Sequence, residues 1–174
     1  MNPVIHTAPL IHTDRGQRRA TELNTVNTLV TGIFGNDAKV SHYEDGAPFI
    51  STRPDICISI SHCIDRCVIA VSDRCIGVDI ETARPTLERV ASKFLTVAEQ
   101  QRGPYPIATL MQLWSAKEAV FKCARIPSLV VADIEISPDF TTATVTHQGI
   151  TRRFTLTYPL LTPDRVISIA QNKK

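Results

Sequence analysis

The sequence predicts an α+β fold for this 174-residue chain, on two observations. First, the periodic segments fall in blocks: one helical stretch, three β-rich runs, a group of helices, then four more β-rich runs. That grouping of elements argues for α+β architecture. Second, 43% hydrophobic and 21% charged residues suit one compact domain or two small, closely packed halves.

Each element follows from local pattern. Over 14–34, from Asp14 to Phe34, the apolar positions Leu23, Val26, Val30, Ile33 and Phe34 recur at three- and four-residue steps, and Gly35-Asn36 is a stop signal, so a first helix is expected. Tyr43-Glu44-Asp45-Gly46-Ala47-Pro48 carries turn chemistry between two short extended segments. Polar breaks at Asp65-Arg66 and Asp73-Arg74 divide three β-rich runs near 56–61, 67–72 and 75–81, and this spacing suits an antiparallel meander. Pro85 stands at the start of a helix whose period is set by Leu87, Val90, Ala91 and Phe94. Thr96-Val97-Ala98-Glu99 has capping-box spacing for a short helix. Gly103-Pro104-Tyr105-Pro106 interrupts regular structure before a longer helix over about 107–124. Strands are expected at 134–136, 141–147, 153–158 and 166–170. The halves, about 1–72 and 73–174, are expected to pack as one domain over 1–174.

The formal net charge of +2 is too small and too evenly spread to direct the chain to nucleic acid. No run approaches the roughly 18 apolar residues of a membrane span, and Met1-Asn2-Pro3-Val4 lacks a basic segment followed by an apolar one. A cytoplasmic location with no membrane partner is therefore the expectation. The cysteines Cys57, Cys63, Cys67, Cys75 and Cys123 form no C-x-x-C pair and are expected as reduced, mostly buried thiols. A metal site from Cys63, Cys67 and His62 is the weaker alternative.

In Ile76-Gly77-Val78-Asp79-Ile80-Glu81, strand alternation puts Val78 and Ile80 on one face and Asp79 and Glu81 on the other. Two like charges on one surface are reasonable if both are solvated, or if a cation lies between them. Magnesium prefers oxygen ligands and is commonly shared between carboxylates and phosphates, but an Asp-x-Glu pair is frequent and needs a third acid.

On the 107–124 helix, Leu110, Leu113, Trp114, Phe121 and Ala124 form one apolar arc with Val120 at its margin. Lys117 falls near the middle of that arc, and Glu118 and Lys122 make an i, i+4 pair at its edge. Two readings stand side by side. In one, Lys117 snorkels past the core rim and the other two residues form a surface ion pair. In the other, the lysines bracket an anion and Glu118 completes a metal site with the strand acids, a charge arrangement suited to a diphosphate.

Taken in order, Ile60-Ser61-His62, Ile76-Gly77-Val78-Asp79-Ile80-Glu81 and Trp114-Ser115-Ala116-Lys117-Glu118-Ala119-Val120-Phe121-Lys122 resemble the signature of the 4'-phosphopantetheinyl transferase superfamily. Gly46-Ala47-Pro48 and the stretch from Phe94-Leu95 to Glu99 are similar to further family positions, and the resemblance covers roughly residues 14–124. It implies a fold of two similar α+β halves with the active site in the cleft between them, in the larger class where one chain supplies both halves, and a monomer. It implies magnesium held by Asp79, Glu81 and Glu118. Coenzyme A would meet His62 and, as a weaker match, Ser61 near its 3'-phosphate, with Lys117 and Lys122 facing its phosphates. The implied reaction is attack by a serine hydroxyl of an acyl or peptidyl carrier protein on the β-phosphate of coenzyme A, expelling 3',5'-ADP. Glu118 would take the serine proton and Lys122 would stabilise the diphosphate charge.

The chain departs from the family pattern at the nucleotide end. Where members usually carry a lysine in the Gly-Lys-Pro turn and an arginine in the first helix, this sequence has Ala47 and Asn27, and Arg18, Arg19 or Arg53 are candidates to substitute. That loss motivates an alternative, a non-catalytic homologue that binds coenzyme A or a carrier protein. The chain is also short for the larger class, so a missing edge strand is expected.

Overall fold

A computed structural model describes residues 2–11 and 15–173. Its strands are β1 (Val4–Pro9), β2 (Val40–His42), β3 (Pro48–Ile50), β4 (Cys57–His62), β5 (Arg66–Ser72), β6 (Ile76–Thr82), β7 (Ile134–Ile136), β8 (Thr142–His147), β9 (Ile150–Leu161) and β10 (Arg165–Asn172). Its α-helices are α1 (Arg18–Phe34), α2 (Thr86–Phe94), α3 (Val97–Arg102) and α4 (Ile107–Ala124). The mixed α+β content agrees with the sequence pattern. The expected start of α1 at Asp14 lies outside the described residues, and the helix is entered through a 3₁₀ turn at Arg15–Gln17.

The strands form an antiparallel three-stranded sheet in the order β1-β5-β4, a five-stranded sheet in the order β6-β10-β9-β8-β7, and a β2-β3 hairpin. The expected three-strand meander is corrected here. β4 and β5 do pair, but β6 leaves them to pair with β10, and β1 takes the free side of β5.

The reason lies in β5 and β6, which are buried on both faces. Val68 and Ala70 of β5 meet Val78 and Ile80 of β6 and Ile167 and Ile169 of β10 in one apolar layer. Ile69 and Val71, on the opposite face of β5, pack with Val30 of α1 and with Ile50 and Ile58. On the far side of the larger sheet, Val166, Ala170, Phe154 and Leu156 lie under Leu113, Ala116 and Val120 of α4. The layers therefore run α1, small sheet, large sheet, α4. Face-to-face packing of β5 and β6 buries apolar area that edge pairing would leave exposed.

Strand β9 continues past Tyr158, where the sequence predicts an end before Pro159. A register shift opposite Ser168, between Ile167 and Ile169 of β10, absorbs the proline, which cannot donate to a ladder.

α4 is covered on more sides than its sequence arc implies. Met111, Ser115, Ala119 and Cys123 are buried along with the predicted arc residues Leu110, Leu113 and Ala124, whereas Phe121 is 40% exposed. Its close seat on β6 depends on Gly77: a Cβ there would sit 1.9 Å from the Ala119 carbonyl oxygen, a backbone atom. Glycine inside a strand often marks such an approach. Among the described residues, no helix is long and apolar enough to cross a membrane.

Candidate active site

The site is assembled where β4, β6 and α4 meet. Asp79 and Glu81 project from the same face of β6, both nearly buried, and α4 brings Glu118 and Lys122 against them. Lys122 Nζ lies 3.0 Å from Asp79 Oδ1 and donates a second hydrogen bond to the Val78 carbonyl at 3.0 Å. From the neighbouring strand, Ser61 Oγ donates to Asp79 Oδ1 at 2.8 Å, and Ser59 Oγ accepts from the Val78 N–H at 3.0 Å. The edges of the two sheets are thus stitched together at the acid pair. Glu81 is held by the Thr82 N–H at 2.9 Å and by Arg84 at 2.7 Å.

Positive charge is short here. Burial pushes the Glu118 carboxyl above its ordinary value, the Asp79 charge raises it further, and Lys122 pulls against both. Burial likewise raises Glu81, opposed by the Thr82 N–H and Arg84 and reinforced by Asp79. The three acids feel one another without closing into a cage: among the described residues, no three His, Cys, Asp or Glu side chains are gathered tightly enough to hold a metal ion. Asp79 is bonded by Ser61 and Lys122, whereas Glu81 is bonded by Arg84. By donor type, three carboxylates suit a hard divalent cation, but as placed they are not gathered around one point, so holding such an ion would require them to draw together.

Lys117 is placed differently from its expected phosphate-facing role. Its side chain is fully buried, its ammonium lies 2.7 Å from Glu99 Oε2, and it also donates to the Ile134 carbonyl. Glu99 in turn accepts from the Ile136 N–H and the Thr96 N–H, each at 2.8 Å, and forms the predicted capping box with Thr96. The apolar arc points Lys117 inward, and only there does it find a carboxylate. Burial lowers the Lys117 pKa, and Glu99 opposes that shift. The residue ties α4 to α3 and β7 and does not face the acids; it does not snorkel either.

His62 ends β4 and reaches Glu22 of α1, with Nε2 3.1 Å from Glu22 Oε2. It stays partly exposed, away from the acid cluster. Cys63, Cys67 and Cys123 are buried free thiols, Cys57 is half-buried and Cys75 exposed. Burial raises Cys67 to about 11 and Cys123 to about 12, so neither is a ready thiolate.

Beside the acids opens a cleft of about 660 Å³ between the β2–β3 hairpin, β4 and the C-terminal end of α4. Tyr43, Phe49 and Phe121 give it aromatic walls, Ala47 and Pro48 line its rim, and Lys122 stands at its junction with the acids. Sequence reasoning missed Ser59, Arg84 and the pair Arg125–Asp45 at this mouth. Gly77 carried a legible signal, as a glycine inside a β-rich run.

A family model for the 4'-phosphopantetheinyl transferase superfamily matches residues 75–170. This chain belongs to that superfamily. The match runs from the residue before β6 into β10, so Asp79, Glu81, Glu118 and Lys122 fall inside the superfamily segment while Ser61 and His62 fall outside it. A 4'-phosphopantetheinyl transferase of Bacillus subtilis is 35% identical over 107 residues, covering 57% of this chain and 48% of the relative. The chain thus spans about half the length of that superfamily member.

Proposed function

We propose that the protein transfers 4'-phosphopantetheine from coenzyme A to a serine of an acyl or peptidyl carrier protein, working as a monomer whose two α+β halves enclose the substrate cleft. The observation that carries this reading is the junction of Asp79, Glu81, Glu118 and Lys122, which joins the superfamily segment to a cleft of small-ligand size.

Asp79, Glu81 and Glu118 would hold magnesium, which when bound neutralises charge on the diphosphate. Lys122, anchored on the Val78 carbonyl, orients its ammonium at the cleft junction and places a cation where a diphosphate oxygen would gain charge. Glu118 takes the proton of the attacking serine hydroxyl, directly or through water; its burial favours the protonated form and so makes it a better base than an exposed glutamate. The serine oxygen forms a bond to the β-phosphorus of coenzyme A, and the phosphoryl bond to 3',5'-ADP breaks. Ser61 keeps Asp79 in place through its hydroxyl. His62 would meet the 3'-phosphate only by releasing Glu22.

One feature favours the alternative of a non-catalytic homologue that binds coenzyme A or a carrier. Ala47 and Asn27 are uncharged, Arg18 is paired with Glu22, and Arg53 with Asp55. Incubation with apo carrier proteins, coenzyme A and magnesium, read by mass spectrometry, separates the two. A carrier gaining one phosphopantetheine is expected; a broad carrier panel left unmodified would sink the transferase reading.

A further inference from the structure

Arg125 follows α4 as its C-cap, in a left-handed backbone conformation with φ 49°. Glycine is the usual residue at such helix ends, because a Cβ crowds the following carbonyl in that conformation. Here the position carries a guanidinium. That group spans 80 residues of sequence to clasp Asp45 through two bonds, Nε to Oδ2 at 2.7 Å and Nη2 to Oδ1 at 3.0 Å. It also lies over the Tyr43 ring, 4.3 Å from the centroid, and Tyr43 packs on Phe49.

We propose that Arg125 is a phosphate-binding residue of the cleft and that the Asp45 carboxylate occupies it until coenzyme A arrives. This rests on the coenzyme A reading above. Among the described residues that line the cleft, Lys122 and Arg125 are the cations, and Lys122 is already held by Asp79 and Val78. The planar two-bond fork that grips a carboxylate grips a phosphate equally well.

Asp45 also accepts from the Ala47 N–H at 3.1 Å, so Arg125 grips the turn between β2 and β3 that forms the cleft rim. The clasp is displaceable, since Arg125 and Asp45 are 36% and 41% exposed and exposed pairs contribute little. Aromatic Tyr43 beneath the guanidinium holds it in place when the carboxylate leaves.

The test is calorimetric titration of the full chain, with magnesium, by coenzyme A and by 3'-dephospho-coenzyme A. Arg125→Ala is expected to weaken coenzyme A binding about 10- to 100-fold, the range for loss of a charge-assisted bond. Asp45→Asn, which can still accept from the Ala47 N–H, is expected to bind coenzyme A several-fold tighter than wild type. A loss in Arg125→Ala that vanishes with the 3'-dephospho ligand assigns the 3'-phosphate; an equal loss with both ligands assigns the diphosphate. Wild-type affinity in Arg125→Ala overturns the proposal, as does the same affinity combined with a raised KM for the carrier, which would give the residue to a carrier carboxylate. Unchanged or weaker binding in Asp45→Asn also overturns it, and that variant answers the question even if Arg125→Ala misfolds. A wild type that binds no coenzyme A sinks this proposal and the transferase reading together, whereas a failure in the variants alone leaves the transferase reading standing.

Discussion

Replacing Lys117 with methionine separates a structural lysine from a ligand-binding one. Methionine matches the stem of the side chain but removes the ammonium, leaving Glu99 fully buried without its countercharge. Breaking one side of a buried ion pair costs about 3–5 kcal/mol. The Ile136 and Thr96 N–H groups still serve Glu99, which favours the lower part of that range, while the Ile134 carbonyl loses its lysine donor. For a chain of this size the loss corresponds to roughly 6–20 °C in Tm.

Adding Glu99→Gln to Lys117→Met removes the stranded charge and keeps an acceptor for the Ile136 N–H, so the double variant should recover a large part of the loss. Urea unfolding of the wild type, both single variants and the double gives the coupling energy, expected at 1 kcal/mol or more, as for groups in direct contact. Titration of the folded variants with coenzyme A supplies the second readout. A Lys117→Met protein that unfolds like wild type but loses coenzyme A would refute the reasoning, because it would place the ammonium at the ligand.

Gly77→Ala drives a methyl group into the Ala119 carbonyl at 1.9 Å, so α4 must lift from β6; a loss of at least 1–3 kcal/mol is expected, with transfer activity falling further because Lys122 and Glu118 leave Asp79. Denaturation and carrier modification measured together check it. Ser61→Ala should cost about 1 kcal/mol and lower kcat, since Asp79 Oδ1 loses its 2.8 Å partner; an unchanged kcat would exclude a positioning role. Glu118→Gln should abolish carrier modification yet raise Tm at neutral pH in chelator. The sign follows from its raised pKa: the stability this group contributes is fully present below its ordinary 4.5 and is lost as pH rises through the higher folded value. The Tm difference between wild type and Glu118→Gln should therefore turn against the wild type above about pH 4.5, and a flat difference would contradict the raised pKa.

Much of the site was readable in one dimension because local periodicity fixes which side of an element a residue occupies. The two-residue period of β6 set Asp79 beside Glu81, the four-residue step on α4 set Glu118 beside Lys122, and the Thr96–Glu99 spacing announced a helix start. Periodicity is silent on what covers each side. β1 carried too short and too weak an alternation to declare itself, and β6 read as the third strand of a meander because adjacency in sequence is no measure of pairing in space.

From sequence alone came the α+β class, the order of most elements, and the pairing of Asp79 with Glu81 and of Glu118 with Lys122 on their elements. Tertiary structure decided the partners. It gave Lys117 to Glu99, seated α4 on Gly77, and carried Arg125 across 80 residues to Asp45. The division has one physical cause: backbone geometry repeats over a few residues and is written locally, whereas the charge state and role of a buried side chain depend on contacts made only when distant segments pack.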